Sequence, residues 1–208
     1  MWDDLRETPG AEAPEAARAE AHLRALRAHW EDCRKGRDMP GRSDIDPRRI
    51  APLLANAFVV ERIAPGSVRL RVAGTHLSDL MGMEVRGMPL CSFIEPRARA
   101  DFALHLVDLF DGPALLRLAL KSRGGLGRPA LSGTMLLLPL RSDLGDVSRA
   151  LGCLLTHGQI GHPARRFSIE NVRIDRITGH PGPAPFTVIE GTGTERNGRS
   201  RAHLRLVP

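Results

Sequence analysis

Within residues 68–73 apolar and cationic side chains alternate, Val68, Leu70 and Val72 against Arg69 and Arg71. A period of two suits only an extended chain with one buried face, so this segment predicts a half-buried strand. An apolar run at 57–63 precedes it, and Ala64-Pro65-Gly66-Ser67 between them is turn chemistry. The pair predicts an antiparallel hairpin. A lone hairpin is marginal in water, so the chain must extend it into a larger sheet.

Three later segments supply that extension, at 115–122, 130–140 and 150–157. Gly124-Gly125-Leu126-Gly127 and Asp143-Leu144-Gly145-Asp146 separate them as turns. Between hairpin and meander lie a short helical turn carrying Leu77, Leu80 and Met81 and a longer helix over 95–110. Ala98, Phe102, Leu106, Leu109 and Phe110 share one side of the latter, and Asp111-Gly112-Pro113 stops it. The order predicts an α+β domain, a five-stranded antiparallel sheet with helices on one face. Pro139 places the 130–140 strand at an edge or bends it near its end.

An amphipathic helix over 14–36 precedes this domain. Pro14 suits its first turn and Gly36 its stop. Leu23, Leu26, Trp30 and Cys33 form one apolar stripe on an otherwise charged surface. The stripe needs burial, against the domain or against a second copy, which makes these four residues candidates for a dimer or partner contact. Asp46 then caps a short helix with Pro47 in its first turn and Ile50, Leu53 and Leu54 buried. At the other end, 161–177 alternates imperfectly through Phe167, Ile169, Val172, Ile174 and Ile177 and reads as an extra strand or extension outside the main sheet. Residues 1–13 read as a flexible lead-in and 178–208, rich in Gly, Pro, Thr and Arg, as a disordered tail.

Several function classes fall away on composition. The net charge is +6, but no helix bears a concentrated basic stripe and there is no tyrosine, which speaks against nucleic-acid binding. An arginine-rich C-terminal end is the feature that would support it. Apolar runs such as 135–138 end far short of a membrane span, and the acidic, polar start lacks a signal-peptide pattern. A cytoplasmic chain is expected. Cys33, Cys91 and Cys153 are far apart, with no spacing for a metal or a disulfide framework. No phosphate-binding loop, nucleophile elbow or zinc-helix motif is present, so no catalytic residue is assigned and no enzyme activity is expected.

Six short segments resemble a known family. They are Trp30 with Arg37 and Pro40; Arg42-Ser43-Asp44-Ile45-Asp46-Pro47 leading to Leu53-Leu54; Arg71-Val72-Ala73-Gly74-Thr75; Gly82-Met83-Glu84-Val85-Arg86-Gly87; Leu136-Leu137-Leu138-Pro139-Leu140; and Leu151-Gly152. In this order they resemble a bacterial PAS domain family, found as stand-alone proteins in alphaproteobacteria and long listed as a domain of unknown function. The resemblance implies a PAS domain over 37–160 and a sensory or regulatory role through protein–protein interaction, with a homodimer or a signalling protein as partner. It also implies a place for a small ligand between sheet and helices, lined by Phe58, Val60, Leu70, Val72, Met81, Phe93, Phe102, His105, Leu106, Leu118, Met135 and Leu137. Complete filling of that space by the same side chains is the competing expectation. No cofactor is assigned. The flavin-adduct pattern of light-sensing relatives is distorted around Cys91, with Leu90, Ser92 and Glu95 at its key positions, and haem would rest on His105 alone.

Overall fold

The computed structural model describes residues 12–177, with side chains from residue 16 onward. The expected lead-in therefore falls almost entirely, and the expected tail wholly, outside the described residues.

Six strands form one antiparallel sheet. They are β1 (Ala57–Ala64), β2 (Ser67–Ala73), β3 (Ala114–Ser122), β4 (Leu131–Arg141), β5 (Val147–His157) and β6 (Ser168–Arg176), in the order β2-β1-β5-β4-β3-β6. The expected count of five is corrected by β6, which pairs with β3 from Ala114↔Arg176 to Lys121↔Ser168. Its broken alternation has a physical cause. The register shifts between Ala119 and Leu120, so Asn171 and Ile169 face neighbouring β3 residues and Glu170 is the surplus residue of a bulge.

Helices cover both faces of the sheet, where one was expected. On the inner face lie α2 (Thr75–Met81), two 3-10 turns (Leu90–Phe93 and Pro96–Ala98) and α3 (Arg99–Phe110). The helix expected over 95–110 is thus a turn followed by α3, with the Arg99 guanidinium bound to the Ile94 carbonyl at 3.1 Å. Gly82 ends α2 in the left-handed conformation, at φ 69°, which only glycine adopts without cost. On the outer face lie α1 (Glu12–Arg34) and the turn Pro47–Leu53, capped by Asp46, whose carboxylate accepts from the Arg48 N–H at 2.9 Å. Leu54, expected to be buried with this turn, is 45% exposed.

Strand β4 runs between the two cores. Met135 and Leu137 point inward, while Leu136, Leu138 and Leu140 point outward into a second apolar cluster. That explains why its apolar run is continuous, since a strand covered on both faces has no reason to alternate. β4 lies between β3 and β5, so Pro139 does not mark an edge strand; it sits beyond the last β3–β4 pair, Leu116↔Leu137, while β5 still pairs at Pro139↔Ala150. The missing N–H therefore falls where β4 has no strand partner on that side, although the strand is not the edge strand that Pro139 suggested.

The connection into β6 is anchored by Arg165, which is 1% exposed. Its guanidinium donates to the Ile160 carbonyl at 3.0 Å and the Pro129 carbonyl at 2.8 Å, and its backbone N–H to Leu80 at 2.7 Å. Phe167 follows into the inner core, with its N–H on the Phe93 carbonyl at 2.8 Å.

Candidate functional site

Ten of the twelve pocket candidates meet in the inner cluster: Phe58, Val60, Leu70, Met81, Phe93, Phe102, Leu106, Leu118, Met135 and Leu137. All ten are buried. Two are elsewhere. Val72 is 54% exposed because β2 carries a bulge: Val59 faces Val72 while Val60 faces Leu70, so Arg71 is the surplus residue and Val72 turns to the outer side. His105 lies half-buried on the flank of α3, in a cleft shared with Asp101, Glu170 and Val172 of β6, and not in the inner cluster. It offers nothing to a group held in the core.

The inner cluster itself is apolar. Polar groups stand at its borders: buried Ser122 follows inward-facing Leu116, Leu118 and Leu120 along β3, and Thr156 of β5 lies 3.0 Å from His76 of α2. Cys91 is half-buried in the turn Leu90–Phe93 and only flanks that cluster. A ligand within the apolar cluster would be held by apolar contact and shape.

On the outer face the stripe of α1 is covered by the domain itself. Leu23 is 3%, Leu26 and Trp30 are 0% and Cys33 is 7% exposed, packed among Met39, Ile50, Leu138 and Leu151. Of the two ways to bury the stripe, the chain uses its own sheet, which leaves these four residues no exposed surface for a dimer contact. The indole Nε1 of Trp30 donates to the Pro139 carbonyl at 2.9 Å, and the Arg34 guanidinium lies 5.4 Å from the indole centre. Cys33 donates from Sγ to the Asp44 carbonyl at 3.3 Å. The Asp44 carboxylate accepts from Arg37 at 2.6 Å and from the Gly41 N–H at 2.8 Å. The Arg37 bond, reinforced by the Gly41 N–H, holds that carboxyl below its usual range. Trp30, Arg37 and the 42–47 segment thus fasten α1 to the sheet.

Beside this fastening lies an apolar cleft of about 130 Å³, where Ile45 and Leu54 face Val59 and Val72. Sequence reasoning missed it, since two of its exposed residues, Leu54 and Val72, read as core.

The family model for the PAS domain matches residues 18–155, from α1 through most of β5. The chain belongs to the PAS domain family. The match takes in both faces of the sheet, so α1 and its fastening lie within the matched region of this PAS domain, while β6 lies beyond it. Among solved structures the chain is similar, at 16% identity, to one from a study of the light-oxygen-voltage domain mechanism with a flavin analogue. That match covers 54% of this chain and 84% of the other, at a TM-score of 0.38. No curated protein matches. No described helix of this PAS domain is long and apolar enough to cross a membrane.

Proposed function

We propose that this PAS domain is a non-enzymatic regulatory module whose inner core and outer helix act as one unit, with protein–protein contact as its output. The observation that carries this reading is the division of β4 between the two cores, Met135 and Leu137 against Leu136, Leu138 and Leu140. A displacement of the strand by a ligand or repacking on one face is felt on the other, because close-packed interiors transmit small shifts. The recipient is α1, tied to β4 through Trp30 and the Pro139 carbonyl. A ligand that changes α1 must favour one arrangement of the helix over another by its own contacts.

The partner, a second copy or another signalling protein, meets the outward side of α1, where Ala21 and Ala28 are exposed between charged residues. The apolar inner cluster favours either an apolar small ligand or a core filled by its own side chains. Native mass spectrometry of freshly purified protein, with an absorption spectrum, separates these. An added mass identifies a ligand; a bare dimer identifies a packed-core adaptor.

Coupling itself is tested by Leu118→Ala, which opens space on the inner face alone. Faster hydrogen exchange along α1 is the expected result. A bare monomer whose α1 protection ignores Leu118→Ala, and whose partner capture ignores Ala21→Glu and Ala28→Glu, overturns the reading.

A further inference from the structure

Where α1 crosses β3 and β6, four guanidinium groups, those of Arg24, Arg27, Arg117 and Arg173, converge on a cleft of about 250 Å³. Two carboxylates share it. Glu20 accepts from both terminal nitrogens of Arg117, one of them at 3.0 Å. Asp175 accepts from Nη1 of Arg27 on one oxygen at 2.7 Å and from Nε of Arg173 on the other at 2.9 Å. The Arg117 bond holds the Glu20 carboxyl below its usual range, and Arg173 with Arg27 does the same for Asp175. Both are therefore ionised near neutrality, and four cations less two anions leave two positive charges.

The donors left over are placed for a ligand. Asp175 uses one nitrogen from each of its two arginines, which draws both toward the cleft and leaves their remaining N–H groups unspent. Arg24 has no hydrogen-bond partner among the described residues and feels Glu20 only at longer range. Beneath these groups lie buried Leu23, Leu115 and Leu136, an apolar floor. Guanidinium forks match phosphate oxygens in pairs, and a dianion neutralises the excess that a single carboxylate would only halve. The volume falls just below the range of about 300–1,000 Å³ usual for small-molecule sites, so the occupant is small.

We propose that this cleft binds a small phosphate monoester, with the dianionic phosphate held by Arg24, Arg27 and Arg173 and the carbon body resting on the leucine floor. Glu20 and Asp175 position the arginines and do not touch the ligand. Because Arg24 and Arg27 belong to α1 and Arg173 to β6, the occupant bridges helix and sheet independently of anything in the inner core.

Isothermal titration calorimetry of the full chain at low ionic strength, with phenyl phosphate, tests the site; benzenesulfonate serves as the monoanionic control. One saturable site is expected, with phenyl phosphate bound at least about tenfold more tightly than the sulfonate. Arg24→Ala and Arg173→Ala should each weaken it by about tenfold, the scale of one charged hydrogen bond. Arg97→Ala, remote from the cleft, should leave it unchanged. Both cleft arginines are exposed, so the variants should fold, and their melting curves check this. Vesicles with and without phosphatidic acid distinguish a lipid headgroup from a soluble ester. Retention on the former that both variants abolish assigns the lipid source, and phenyl phosphate binding without retention the soluble one. No saturable heat and no retention overturns the proposal, as does binding that survives the Arg24→Ala, Arg173→Ala double substitution.

Discussion

The ring of Phe58 on β1 lies directly over Gly152, its cross-strand partner on β5, and fills the space that a β-carbon at 152 would need. The relationship couples two neighbouring strands at the centre of the inner core. Gly152→Ala should push the ring aside and destabilise the fold by about 1–3 kcal/mol, the usual cost of overpacking. Urea denaturation measures this. Phe58→Leu in the Gly152→Ala background should recover part of the loss, and failure to do so would place the strain elsewhere.

Trp30 tests the fastening of α1. Trp30→Phe keeps most of the apolar contact but orphans the Pro139 carbonyl, at a cost of about 1–3 kcal/mol. Trp30→Ala also opens a cavity and should cost about 3–5 kcal/mol. If the two variants lose equal stability, the hydrogen bond dominates and the packing argument for α1 is wrong.

A pH dependence follows from His76 on α2. Burial lowers its pKa below the ordinary 6.5, with Asp79 opposing, and its Nε2 lies 3.0 Å from Thr156 Oγ1. The unfolded chain therefore binds a proton at higher pH than the folded one. This group's contribution is fully present above about pH 6.5 and is lost as pH falls from there through the folded value. Stability curves at pH 7.5 and 5.5 for the native protein and His76→Gln check the sign. The variant should lose less stability on acidification.

Arg165→Ala should remove two charge-assisted bonds to carbonyls and cost about 2–3 kcal/mol. The loss should be local first, with hydrogen exchange rising over 158–167 and β6 before the central strands. Uniform loosening of the whole sheet would show that Arg165 is not a local anchor.

The thiols offer a simple accessibility check. Cys153 is 0% exposed, and burial pushes its pKa up to about 12. Burial raises that of Cys33 as well. Iodoacetamide labelling of the native protein at pH 7.5, read by mass spectrometry, should modify Cys91 first, and all three only in denaturant. Early labelling of Cys33 would mean that α1 detaches in solution.

How much of this was legible in the sequence varies by element. The β1–β2 hairpin and the β3–β5 meander announce themselves by alternation and turn residues. Val72 was misplaced because a bulge at Arg71 leaves the local pattern intact while inverting the face, and only the partner strand reveals it. The same device blurred β6, read as an extra strand outside the main sheet, where the surplus Glu170 breaks the period. The second core was written in the unbroken run 135–138, which a strand with one wet face does not need. What no local pattern held was the address of the α1 stripe, since an amphipathic helix looks the same whether it packs on its own sheet or on a neighbour's. The convergence of Arg24 with Arg117 and Arg173 is tertiary in the same way, joining residues far apart in the chain.

The outer cluster also governs where this protein can be cut. A fragment trimmed to 37–160 would keep β1 to β5 yet strip Leu23, Leu26 and Trp30 from the outer face and Phe167 from the inner one. Such a fragment would enter water with a bare leucine-rich sheet surface and an exposed edge on β3, a template for self-association. A fragment that keeps both faces of the sheet covered therefore runs from α1 through Ile177, well beyond 37–160 at either end.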